Sequence, residues 1–221
     1  MDKIRLIEAY PGIIADQLIN NQIDIGLVPV AIIPKLSKAL LITDYCIGTE
    51  GEVASVAIFS EVPLEEVKIV MLDYQSRTSI NLAKILLKEY WHLNVKFVNA
   101  SADYLDEIKG TTAGVVIGDR ALEQQKKSKY VYDLGAAWKA HTGLPFVFAA
   151  WVANKTIDNN FIDAFNRANA YGVNHIEEVL ESVEYEHYDL RKYYTQNLSY
   201  QFTDDKRKGL DLFLQKLANI Q

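Results

Sequence analysis

From Asp73 to Asn81 the chain reads DYQSRTSIN, directly after the apolar run VKIVML. Ser76, Arg77, Thr78 and Ser79 therefore follow a buried strand and open an amphipathic helix. The first turn of a helix carries unpaired backbone N–H groups and a partial positive charge. Small hydroxyl side chains let an anion approach those groups and add donors of their own. An arginine beside them can bind a carboxylate through two parallel hydrogen bonds. A lone serine at such a place is usually a helix cap. Four donors in a row suit an anion cradle as well as a cap.

Three further polar positions stand beside apolar runs. Ser55, in CIGTEGEVASV, starts a β-branched strand. Asp119 follows Gly118 in VVIGDRAL, where it reads as a helix cap or as an acceptor facing a cleft. Thr142 precedes Gly143 and Pro145 in WKAHTGLPFVFAAW, a turn leading into another strand. Trp138 and His141, just before that turn, could wall a site for a small ring. The usual catalytic constellations are missing. His92, His141, His175 and His187 share no metal-ligand spacing, and no glycine-rich phosphate loop or G-x-S-x-G occurs. No metal or cofactor is expected, and the pattern alone assigns no catalytic residue. Cys46 is the single cysteine, so no internal disulfide can form, as suits a reducing compartment.

The elements that must position these residues can be read from hydropathy. With 49% apolar and 24% charged residues, the 221-residue chain can build a sizeable core. The first half alternates strand-like runs with helices, which predicts βαβ units, an α/β fold and mainly parallel sheets. VASVAIFS and FVFAAWVA would lead out of and back into a first lobe. That outline makes 1–62 plus 146–221 one lobe and 63–145 the other, with polar strand ends facing a cleft between them. Beyond Asn159 only helix is predicted. The formal charge of −6 argues against nucleic acid as a partner. The one short basic run, Lys206 to Lys208, reads as a solvated helix end. No window is apolar enough for a membrane span, and MDKIRLIEAYPG lacks the apolar core of a secretory signal, so no membrane partner and a cytoplasmic location are expected.

Read together, DIGLVPVAIIP, CIGTEGEVASVAIFS, LDYQSRTSINLAKILL, GVVIGDRAL, TGLPFVFAAW and YYTQNLSYQF resemble the chorismate dehydratase family of the futalosine route to menaquinone. The resemblance covers nearly the whole chain after Leu6. It implies a fold like the type II periplasmic binding proteins, with two α/β lobes, two crossing strands and a helical C-terminus. It also implies a lyase that dehydrates chorismate to 3-[(1-carboxyvinyl)oxy]benzoate without a cofactor. Ser76, Arg77, Thr78 and Ser79 would then bind the dicarboxylate substrate, with Ser55, Asp119 and Thr142 as further cleft residues. A sister enzyme acting on a futalosine derivative and a non-enzymatic solute-binding module are the competing readings. The chain departs from the family at one place. Relatives begin with a strand and an S-Y-x-N-x-x-P loop, whereas here MDKIR runs straight into LIEAYPGIIADQL. The expectation is that residues are missing between Arg5 and Leu6.

Overall fold

The computed structural model describes residues 4–220. The first half holds α1 (Pro11–Ile19), β1 (Ile25–Pro29), β2 (Leu40–Thr49), β3 (Val56–Ser60), β4 (Ile69–Leu72), α2 (Thr78–Glu89) and β5 (Lys96–Asn99). Then come β6 (Thr112–Ile117), α3 (Asp119–Gln124), β7 (Tyr130–Asp133), α4 (Leu134–Thr142) and β8 (Phe146–Ala153). The last third holds α5 (Asn159–Asn174), α6 (Ile176–Leu180), α7 (Leu190–Lys192), a π-helical turn (Tyr193–Asn197), β9 (Ser199–Gln201) and α8 (Asp204–Ala218).

The strands form two sheets. The first has the order β1-β8-β2-β9, and the second β5-β4-β6-β3-β7. The expectation of mainly parallel sheets is corrected here. Every neighbouring pair in the first sheet is antiparallel, because β8 arrives late in the chain and inserts between β1 and β2. In the second sheet only β4–β5 and β4–β6 are parallel, while β3 runs against both β6 and β7. Alternating runs reveal strands and helices but not which strands become neighbours. β3 is hydrogen-bonded into the second sheet, so the chain changes sheet between Thr49 and Val56 and again between Asp133 and Phe146. The expectation of helix alone beyond Asn159 is also corrected, since β9 pairs there with β2.

One hydrophobic cluster runs through both sheets. It joins Leu18 of α1 and Val28 and Val152 of the first sheet to Val70 and Val115 of the second, through Leu82, Ile85 and Leu86 of α2 and Phe213 of α8. A smaller cluster, with Phe59, Met71, Tyr104 and Val116, covers the other face of the second sheet. This division follows the alternation of side chains along β3, where Val56 and Ile58 face one cluster and Ala57 and Phe59 the other. Burying such large side chains, at roughly 1.5–3 kcal/mol each, supplies the main drive to fold.

Two local features depart from ordinary patterns. Lys206, read as part of a solvated helix end, is fully buried instead. Its ammonium donates to Ser199 O at 3.2 Å and Gln201 O at 2.8 Å, with Glu50 at 3.3 Å, so it ties α8 to the β9 edge. At the far edge of the same sheet, β1 has no strand beyond it among the described residues. Residues 4–10 form no regular element, and Ile4 and Leu6 are 62% and 76% exposed.

Candidate active site

Strand order decides which polar residues meet. β4 and β6 are parallel neighbours, so their carboxyl ends lie side by side. β3 runs antiparallel to β6, with Val56 opposite Ile117, so its amino end lies at the same edge. Ser55, Asp73 and Gly118 therefore share one sheet edge, with Ser55 and Asp73 two strand spacings, about 10 Å, apart. Gly118 N–H donates to Ser55 O at 2.8 Å. Gly118 takes φ +65° and ψ −147°, a conformation open essentially to glycine alone, and so turns the chain sharply from β6 into α3.

The start of α2 rises from this edge. Ser76, Thr78 and Ser79 are all buried. Ser76 Oγ accepts the Ser79 N–H at 3.0 Å, which is cap geometry. Thr78 Oγ1 accepts the N–H of Ala31 at 3.2 Å, from the turn after β1, so it links the two sheets. Arg77 reaches Asp16 of α1 at 2.7 Å, across the same seam. All of the hydroxyl and guanidinium groups of the stretch except that of Ser79 thus have a protein contact in this structure. The remaining N–H groups of the first turn are without intrahelical partners.

Ser55 is buried, and its Oγ accepts from Tyr193 Oη at 2.8 Å. Burial raises the Tyr193 pKa, so this phenol stays protonated as the donor. Tyr193 begins the π-helical turn, a rare element that often marks functional sites. Two further contacts come from this turn and from the chain just before it. Asn197 donates to Glu52 O, and Tyr185 Oη donates to Asp119 O, each at 3.3 Å. Asp119 itself has an exposed side chain at the first position of α3 and no side-chain cap bond.

The structure does not bring Thr142 to this edge. Its hydroxyl donates to Trp138 O at 2.8 Å and accepts from Leu144 N–H at 3.2 Å, closing the end of α4. Neighbouring His141 lies 3.8 Å from Glu89, the last residue of α2. The helix between Glu89 and Thr78 is about 18 Å long at 1.5 Å per residue. Trp138 is fully buried against Phe146 and Phe213, so it packs the core and walls no site. Among the described residues no group of His, Cys, Asp or Glu is placed to hold a metal ion, and no helix is long and apolar enough to cross a membrane.

Sequence reading passed over a buried polar knot at the same edge. The Asp73 side chain is wholly buried. It accepts from Gln75 N–H at 2.9 Å and from Arg120 Nη2 at 3.0 and 2.8 Å, and Tyr104 Oη lies 3.0 Å away. Burial, with the Asp73 charge second, drives the Tyr104 pKa far above that of a free phenol. The signal was an acid directly after the apolar strand Ile69–Leu72, which demands a partner. Naming Arg120 as that partner required knowing that β4 and β6 are neighbours.

Comparison with known proteins adds the chain's relatives. A chorismate dehydratase from Thermus thermophilus is 26% identical over 247 residues, covering 99% of this chain and 88% of that protein. That alignment is longer than the 221 residues here, so it contains positions that this chain lacks. Among solved structures, a protein from Archaeoglobus fulgidus matches with a TM-score of 0.69 at 14% identity, over 97% of this chain and 84% of that one. An ABC transporter protein from Parabacteroides distasonis matches with a TM-score of 0.63 at 16% identity, over 99% and 82%. These two likenesses concern the mixed α/β fold. The family model for menaquinone biosynthesis matches residues 1–219, and the chain belongs to that family.

Proposed function

We propose that this protein is a lyase that removes water from chorismate to give 3-[(1-carboxyvinyl)oxy]benzoate in menaquinone biosynthesis. One observation carries the reading. The start of α2, with Ser76, Arg77, Thr78 and Ser79, converges with Ser55 on one sheet edge, in a chain related to a chorismate dehydratase. In this reading the fold is of the type II periplasmic-binding-protein kind, with lobes 1–62 plus 146–221 and 63–145 except that β3 pairs within the second. A substrate carboxylate replaces Asp16 on Arg77 and takes the open first-turn N–H groups of α2. Ser55 and the backbone around Asp119 face the ring, while Thr142 serves only to end α4. Loss of a proton and of hydroxide makes the ring aromatic, which drives the reaction. The protein contributes orientation of the dianion and exclusion of water.

Incubation with chorismate tests this directly. Appearance of the aromatic product, followed by absorbance and chromatography, is the expected outcome. Turnover of a futalosine derivative instead would favour the sister enzyme. Tight chorismate binding without product would favour a binding module, a reading that the likeness to the ABC transporter protein keeps in view.

We also infer that residues are missing between Arg5 and Leu6. Among the described residues, the outer edge of β1 without a neighbouring strand and the absence of a strand over 4–10 support this, as does the longer alignment with the relative. An intact mass of 25.0 kDa for the cellular protein would overturn it.

A further inference from the structure

The Arg120 guanidinium is held from three directions. Its Nη2 donates to both Asp73 carboxylate oxygens and to Gln75 Oε1 at 3.2 Å. Its central carbon lies over the rings of Tyr74 and Tyr104, 5.4 and 5.8 Å from their centroids. The other terminal nitrogen, Nη1, is buried and has no acceptor among the described residues. A buried donor left without an acceptor costs about 1–3 kcal/mol, so natural proteins rarely keep one without use. Here the cost falls on a group that Asp73 and two aromatic rings fix rigidly, next to the residue that precedes Ser76. In this structure Nη1 is closed to solvent although the Arg120 side chain as a whole is 25% exposed, so a ligand reaches it by displacing what covers it, while the guanidinium itself, pinned by Asp73, needs no reordering.

We propose that Arg120 is a further substrate-binding residue, whose Nη1 takes an oxygen of a second carboxylate while the start of α2 holds the first. Arg120 thereby selects dianionic over monoanionic ligands. Asp73 is the positioning residue. It supplies no contact to the ligand, but it orients the guanidinium and offsets its charge. This inference rests on the dicarboxylate reading given above.

The test measures dissociation constants by calorimetry for two ligands, 3-[(1-carboxyvinyl)oxy]benzoate and 3-methoxybenzoate, which lacks the second carboxylate. The wild type is expected to prefer the first by at least tenfold. Arg120→Gln should lose at least tenfold in affinity for the dicarboxylate while its affinity for 3-methoxybenzoate stays within twofold. Equal weakening of both ligands, or no change for the dicarboxylate, overturns the inference. Should Arg120→Gln fold poorly because Asp73 is left as a lone buried charge, the Asp73→Asn/Arg120→Gln pair removes that charge and must give the same selective loss. Wild-type protein that binds neither ligand would instead overturn the dicarboxylate reading itself, and the role of Arg120 with it.

Discussion

At the scale of single residues, position in the sheet decides role more than residue type does. Arg77 and Arg120 flank the same edge, yet Arg77 holds an exposed partner, Asp16, and Arg120 a buried one, Asp73. A pair as exposed as Arg77–Asp16 contributes about 1 kcal/mol or less. Arg77→Ala should therefore leave stability nearly unchanged and raise KM for chorismate more than it lowers kcat, as steady-state kinetics would record. An unchanged KM would mean that Arg77 stays with Asp16 throughout. Cys46 makes a second residue-scale case. Burial raises its thiol pKa from 9.0 to about 11, so the folded protein favours the neutral thiol. Because the folded pKa lies above the unfolded one, this stabilisation is complete below about pH 9 and is lost as pH rises towards 11. Iodoacetamide at pH 8 should label Cys46 slowly in native protein and quickly in urea, and fast native labelling would contradict the burial. The sequence displayed the hydroxyls at Ser76–Ser79 plainly. It hid the contacts of Thr78 with Ala31 and of Arg77 with Asp16, which depend on pairing across the molecule.

At the scale of elements, termini and close approaches do the positioning. Ser76 caps α2 by accepting the Ser79 N–H, so Ser76→Ala should cost about 1 kcal/mol in urea unfolding, while Ser76→Asp should keep most of the cap. α8 presents Gly209 to the turn before β8 so closely that a Cβ there would stand 2.2 Å from Pro145 O. Gly209→Ala should therefore push α8 off that turn and cost about 3 kcal/mol, seen as a lower urea midpoint with an unchanged slope. A loss below about 0.5 kcal/mol would show that α8 can shift freely. Most elements were legible beforehand, because VKIVML, the helix after Ser79 and the stripe Leu210, Phe213, Leu214 and Leu217 carry clear periodicity. Strand direction was not legible. β8 inserts between β1 and β2 from far along the chain, with Thr49 paired to Phe146 and Pro29 to Ala149, and no local pattern encodes that. β9 is three residues long, too short for a periodic signal, and Lys206 became buried only because β9 offers it carbonyls.

For the whole molecule, the controlling feature is the apolar cluster that passes from one sheet to the other through α2. The two sheets share Leu82, Ile85 and Leu86 of that helix, so neither has a private core on that side. Heat should therefore unfold both together, and calorimetric and van't Hoff enthalpies should agree. Two separated transitions would mean that the sheets are independent. A shared core also changes what a small ligand can do. A molecule gripped where α2 leaves the second sheet touches the element on which both halves depend, so its binding energy is felt by the entire chain. At a hundred times its dissociation constant it adds about 2.7 kcal/mol, and for a chain of this size that raises the single melting point by roughly 5–10 °C. Melting temperature thus becomes a direct gauge of which small acids this protein recognises.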